Sequence, residues 1–315
     1  MPNDTIYAAT IRHPFSQFKS SFNMWKLEKH YGLSGFKDPI HEYFSNLQKY
    51  EKLLRGSFYS PIAKFENVML SYSKNYMAYE FGFDLTKINN ATYVKRHLRH
   101  INDSFTAPIM TEFYDESLIL FRRKMNWSMQ DILYFAHRKD KYPSKSKNYS
   151  QQIMDIHRNI SWLDYALYDM FLERHKEEVR RGGDAFQREV AVFKNILNVT
   201  SEFCQDVWSV LSRKQRNVTS DATQRNLDIK FSEFNAPFKV TGAQCLLFQI
   251  DEMFMEVIIQ LWMYPEICNL HNKPAYDSHP TKTHSYICSK APKAIYNIPA
   301  NITSWFPAST LSFQP

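Results

Sequence analysis

Residues 5–25 read TIYAATIRHPFSQFKSSFNMW, and this stretch decides the fold class. Ile6 to Ile11 is short, apolar and rich in strand formers, whereas from Pro14 onward Phe15, Phe18, Phe22 and Trp25 recur at helical spacing. The pattern predicts a buried strand running straight into a helix from Pro14 to about His30, since proline's missing N–H costs nothing at a first helical position. Arg12 then falls at the carboxyl end of the strand, where open α/β sheets place ligands. The helix N-terminus behind it presents free N–H groups to an anion, and phosphate is the natural guest. Ser16 and Ser20 share the helix face opposite Phe18 and Phe22, so both hydroxyls stay near Arg12 while the aromatics bury.

Working outward, Ala107 to Tyr114 (APIMTEFY) predicts a second buried strand, followed by a helix through Leu118, Leu120 and Phe121. Glu112, Asp115 and Glu116 thus cluster at a strand's carboxyl end, where a carboxylate can orient a substrate hydroxyl or take its proton. Asp115 and Glu116 have an equally good structural reading, as an N-cap and first-turn acids favoured by the helix dipole. Ser128 with Asp131 forms a capping-box pattern before Ile132. From Gln151 to Arg181 and again from Ala185 to Leu211, apolar residues recur at spacings of three and four, with Gly182-Gly183 between the two helical runs. These elements predict an α/β chain with a parallel sheet flanked by helices and a helix-rich C-terminal half. Residues 1–264 form its domain, and 265–315, with seven prolines and little periodicity, form an irregular tail.

The order Arg12, Pro14, Ser20 in a strand–turn–helix setting resembles the 3'-phosphate-binding motif of sulfotransferases that use 3'-phosphoadenosine 5'-phosphosulfate (PAPS). The wording resembles the galactose 3-O-sulfotransferase family in particular, which includes galactosylceramide sulfotransferase. Three further blocks carry that likeness: NYMAYEFGFD at 75–84, IMTEFYDESLILFRRKMNWSMQDILYF at 109–135 and WLDYALYDMF at 162–171. The resemblance implies a P-loop-type sulfotransferase fold, PAPS as donor, and transfer of a sulfuryl group to the 3-hydroxyl of galactose in a glycolipid or glycoprotein glycan. It further implies that Arg12 and Ser20, with Ser16 beside them, hold the donor's 3'-phosphate, and that transfer needs an acceptor base, for which Glu112, Asp115 and Glu116 are the candidates while the catalytic residue stays open. The resembled enzymes are Golgi membrane proteins whose active sites face the lumen. They carry an N-terminal anchor and an upstream loop that grips the 5'-phosphosulfate, and neither precedes Arg12 here. The expectation is therefore an N-terminally truncated domain with weak or absent transfer, attached to membrane through a segment not present in this chain. The alternative is a non-catalytic glycan-binding or interaction protein that retains the fold.

Composition bounds these readings. A chain of 315 residues with 44% hydrophobic and 16% aromatic content can bury a large core and is globular. The net charge of +7 favours anionic partners without choosing among them; the basic pI of about 9.0 is the sole argument for nucleic acid, so none is expected as a partner. Nine Asn-x-Ser/Thr sequons occur, at Asn3, Asn90, Asn102, Asn126, Asn148, Asn159, Asn198, Asn217 and Asn301, where chance would give about three. That excess points to a secretory-pathway lumen. Four cysteines, Cys204, Cys245, Cys268 and Cys288, permit two disulfides in any of three pairings, or free thiols. The most apolar stretch, Leu246 to Met263, carries three acids and reads as an amphipathic helix and not a membrane span. His97 and His100 lie at helical spacing without a third ligand, so no metal is expected.

Overall fold

Strand β1, Tyr7–Ile11, passes through Arg12 and His13 into helix α1, Pro14–Met24. The computed structural model describes residues 5–50, 73–135, 149–212 and 224–248. Along them follow α2 Leu27–His30, α3 Pro39–Ser45, α4 Tyr76–Glu80, α5 Ala91–Ser104, β2 Phe105–Met110, α6 Tyr114–Met125, α7 Gln151–Ile160, α8 Trp162–Ser212, β3 Asn226–Ile229, β4 Phe238–Thr241 and α9 Gly242–Leu247. The predicted tail from residue 265, and all but the first residues of the predicted helix at 246–263, lie outside the described residues. Backbone proximity divides the chain into two units. The first comprises Met1–Leu133, Arg138–Ile196 and Ser232–Asn235; the second comprises Tyr134–His137, Leu197–Phe231 and Ala236–Pro315.

In the first unit β1 and β2 pair in parallel, with Thr10 opposite Ile109 and Ile11 opposite Met110. A helix-rich build around a small parallel sheet agrees with the predicted α/β class. The strand itself departs from expectation, because Ile11 alone of β1 is buried while Tyr7, Ala8 and Thr10 are exposed. Its apolar run meets the core only at the carboxyl end, where Ile11 and Met110 pack with Met77, Ala78, Val94, Leu163, Leu167 and Phe171. Helix α1 also stops earlier than predicted. Lys26 adopts the left-handed conformation (φ 51°, ψ 43°), which an L-residue enters at a cost, and α2 begins afresh behind it. As predicted, Phe15, Phe18 and Phe22 are buried, and they join Tyr31, Tyr43 and Phe44 in a second core. Each such ring contributes about 1.5–3 kcal/mol by leaving water.

Two helix starts hold each other in place. Asn75 Oδ1 accepts the backbone N–H of Leu163 at 3.0 Å, and Asp164 Oδ1 accepts that of Ala78 at 2.7 Å. One first-turn N–H of α8 and one of α4, which have no partner inside their own helices, are thereby satisfied by side chains 88 and 86 residues distant in sequence. Ser161 Oγ adds a bond to the Ser73 carbonyl at 3.0 Å. Two of the blocks that carried the family likeness, 75–84 and 162–171, are therefore in direct contact. The third is anchored by Arg122 and Arg123 of α6, both of which ion-pair with the buried Glu189 of α8. Within α8, Gly183 takes φ 56° and ψ −156°, so the helix breaks where the glycine pair predicts.

In the second unit β3 and β4 pair antiparallel, and Cys204 of α8 is disulfide-bonded to Cys245 of α9. Of the bonds open at the level of sequence, Cys204–Cys245 is formed, while Cys268 and Cys288 lie outside the described residues. Trp208 Nε1 donates to the Cys245 carbonyl at 3.0 Å, and Phe135 stands edge-on to the Trp208 ring at 4.2 Å.

Candidate functional site

Because β1 and β2 are parallel and adjacent, the residues that leave their carboxyl ends emerge side by side. From β1 come Arg12 and His13, and from β2 a 3-10 turn, Thr111–Phe113, that contains Glu112. Glu112 Oε1 accepts the backbone N–H of His13 at 2.8 Å, which ties the two turns together. Of the three predicted acids, Glu112 is therefore the one brought to the Arg12 turn.

Asp115 and Glu116 go elsewhere. Both lie in the first turn of α6 and face Lys194 of α8, at 3.0 Å from Glu116 and 3.9 Å from Asp115. Neither is the N-cap: that position is Phe113, which makes no side-chain cap bond, and the two acids lie in the turn after it. Of the predicted capping box, the acid's half is present: Asp131 Oδ2 accepts the Ser128 N–H at 2.7 Å, at a 3-10 turn and not an α-helix.

Arg12 is half-buried and makes no hydrogen bond or ion pair among the described residues. Ser16 and Ser20, also half-buried, lie four residues apart on the face of α1 opposite the packed aromatics, and their hydroxyls are likewise uncommitted among the described residues. Intrahelical bonding in α1 starts with Gln17 N–H to His13 O at 2.9 Å, which leaves the amides of Phe15 and Ser16 as open donors. A guanidinium, two hydroxyls and free helix amides are each donors of the kind an oxyanion accepts from.

Around His13 the chain gathers groups to which the sequence reading assigned no role. Its imidazole stands edge-on to Tyr165 at 5.5 Å and to Tyr168 at 5.3 Å, both on α8. Burial holds His13 below the ordinary histidine value against the opposing field of Glu112, with Arg158 and Lys19 pushing the same way as burial. It is thus a neutral imidazole at neutral pH. The Tyr168 hydroxyl is pushed up to about 12 by burial and then by Glu112, and so keeps its proton. Behind them His157, buried on α7, meets the Tyr165 hydroxyl at 3.0 Å, and burial pushes it down to about 3. The available signal was the 162–171 block, where Tyr165 and Tyr168 fall three apart on one helix face.

Among the described residues no three His, Cys, Asp or Glu side chains converge as metal ligands, and no helix is long and apolar enough to cross a membrane. His97 instead packs edge-on to Phe83 at 4.4 Å.

Comparison with known proteins shows the family. A family profile described as Galactose-3-O-sulfotransferase matches residues 1–223, well over half of the chain. The chain belongs to the galactose-3-O-sulfotransferase family. It is 29% identical over 171 residues to galactose-3-O-sulfotransferase 2 of Homo sapiens, which covers 54% of this chain and 39% of that protein. To galactose-3-O-sulfotransferase 3 of Mus musculus it is 28% identical over 189 residues, 59% of this chain and 41% of the relative. To the galactosylceramide sulfotransferase of Homo sapiens it is 24% identical over 220 residues, 65% of this chain and 46% of the relative. The chain thus spans less than half the length of each of these family members. No solved structure matches it.

Proposed function

We propose that this chain binds PAPS through the Arg12 turn and transfers its sulfuryl group to the 3-hydroxyl of a galactose residue in a glycolipid or glycoprotein glycan. The observation that carries the reading is the unsatisfied donor set of Arg12, Ser16, Ser20 and the first amides of α1, at the carboxyl end of a parallel strand in a family named for this reaction. In this reading Arg12 grips the donor's 3'-phosphate and the serine hydroxyls complete its hydrogen bonding. They fix the nucleotide's position without touching the reacting sulfur.

Glu112 is the base. It removes the proton of the galactose 3-hydroxyl as that oxygen bonds to sulfur, while the bond from sulfur to the 5'-phosphate oxygen breaks and the phosphate departs with the electron pair. Asp115 and Glu116, each facing Lys194, support the fold of α6 instead. Tyr168, which keeps its proton beside Glu112, orients that carboxylate. The Cys204–Cys245 disulfide and the sequon excess both support residence in an oxidising secretory compartment, with the Golgi lumen the one the family reading implies.

Incubating the chain with PAPS and a β-galactoside, then locating sulfate on the product by NMR, tests the proposal. Sulfate on galactose O3 is the expected result. Nucleotide binding with no transfer to any galactoside would contradict it and favour a glycan-binding protein that keeps the fold.

A further inference from the structure

Asn90 begins an Asn-Ala-Thr sequon whose three residues are all exposed. It is the N-cap of α5: its Oδ1 accepts the Tyr93 N–H at 3.0 Å, and its Nδ2 has no partner among the described residues. Glycosylation consumes a hydrogen of Nδ2 and spares Oδ1, so the cap survives the modification.

The other described sequons are worse placed. Asn102 is half-buried inside α5, and its backbone carbonyl accepts from Arg174 at 2.8 Å. Asn159 and Asn198 lie within helices, and the hydroxyl residue of the latter sequon, Thr200, is 1% exposed. Asn126 is the left-handed C-cap of α6, and its sequon's Ser128 Oγ is bonded to Asp131 at 2.8 Å.

Beside Asn90 runs a groove of about 320 Å³. Ile88, Asn89 and Ala91, the residues flanking Asn90, form part of its lining, together with Leu98, Lys95 and Trp162. Trp162 is 40% exposed there, an amphipathic ring left partly open to solvent.

We infer that Asn90 carries an N-linked oligosaccharide and that its first sugars lie along this groove, with a pyranose face against Trp162. The inference rests on the lumenal reading above. The donor is an oligosaccharide joined through its anomeric carbon to a lipid diphosphate. The bond from that carbon to the diphosphate oxygen breaks, and the diphosphate leaves with the electron pair. Asn90 Nδ2 bonds to the anomeric carbon and gives up one proton to base. The groove selects sugar over an unrelated partner because its flanking residues and the attachment point are consecutive in the chain, so the occupant is already tethered.

The test is expression of the full chain through a eukaryotic secretory pathway, enzymatic release of N-glycans in heavy-oxygen water, and mass spectrometry of the Asn90 peptide. Asn90 is expected to be occupied, Thr92→Ala to abolish that while leaving the cap intact, and Thr92→Ser to restore it. Trp162→Ala is expected to leave occupancy unchanged but to raise several-fold the rate at which a glycosidase removes this glycan from the folded protein. A bare Asn90 beside another occupied sequon would overturn the inference and leave the lumenal reading standing; nine bare sequons would overturn both. An unchanged release rate in Trp162→Ala would overturn the seating in the groove.

Discussion

Glu112 Oε1 lies 2.8 Å from the backbone nitrogen of His13 and accepts its N–H, so the carboxylate that follows one parallel strand holds the turn that follows the other. Arg12 is the residue just before that bond. The bond therefore couples the proposed base to the phosphate-binding turn, and a substitution at Glu112 acts on both unless the new side chain still accepts.

Glu112→Gln separates the two roles. The amide oxygen still accepts from His13, but the side chain no longer takes a proton. Turnover is expected to fall by about 10²–10⁴-fold, with the melting temperature and nucleotide affinity unchanged. Glu112→Ala should in addition weaken nucleotide binding. Asp115→Asn and Glu116→Gln should stay near wild-type turnover. Initial rates and calorimetry on the four variants check this, and full activity in Glu112→Gln would remove Glu112 from proton transfer.

Asp164 makes stability depend on pH. Burial raises its carboxyl to about 7 even though the Ala78, Met77 and Tyr76 amides favour the charged form. Between its ordinary value near 3.8 and about 7 the folded chain holds a proton that the unfolded chain has lost. This contribution is complete at low pH and is lost as pH rises through 7. His157 has the opposite sign, since its folded value of about 3 lies below the ordinary 6.5, and it costs stability as pH falls below that value. Both are present in the wild type, whereas Asp164→Asn keeps only the second. The stability difference between wild type and Asp164→Asn, from urea titrations at pH 5 and pH 8, should shrink by on the order of 1–3 kcal/mol at the higher pH. A constant difference would contradict the raised value.

The disulfide should be the main brace of the second unit. Cys204 and Cys245 are 41 residues apart in sequence, and closing a loop of that size is worth about 4 kcal/mol in the chain-entropy account. Cys204→Ser should therefore lose about 2–5 kcal/mol in urea unfolding followed by Trp208 fluorescence. Reductant should destabilise the wild type to a similar extent. Insensitivity to both would contradict the pairing.

Local rules made part of this site legible. Pro14 after a short apolar run, then phenylalanines three and four apart, predict the strand, the helix and the position of Arg12, because those signals act over a few residues. Glu112 was visible as an acid at a strand end for the same reason. What separated it from Asp115 and Glu116 was not visible: Lys194 lies 78 residues beyond Glu116, and His13 lies 99 residues before Glu112. The neutral cluster of His13, His157, Tyr165 and Tyr168 is assembled from three elements, so no spacing announces it. A short apolar run does not state how many of its faces are covered, and β1 is exposed along most of its length although its composition predicts a buried strand. The reciprocal caps of Asn75 and Asp164 give two family blocks a physical reason to occur together.

The most direct test compares two nucleotides, 3'-phosphoadenosine 5'-phosphate and adenosine 5'-phosphate, by equilibrium binding to the wild type and to Arg12→Ala. The two ligands differ only in the group that Arg12 is proposed to hold, and a charge-assisted contact of this kind is worth about 1.5–3 kcal/mol. The wild type should prefer the 3'-phosphorylated nucleotide by about 10–100-fold, and Arg12→Ala should bind the two alike. A preference that survives the loss of Arg12 would contradict the account.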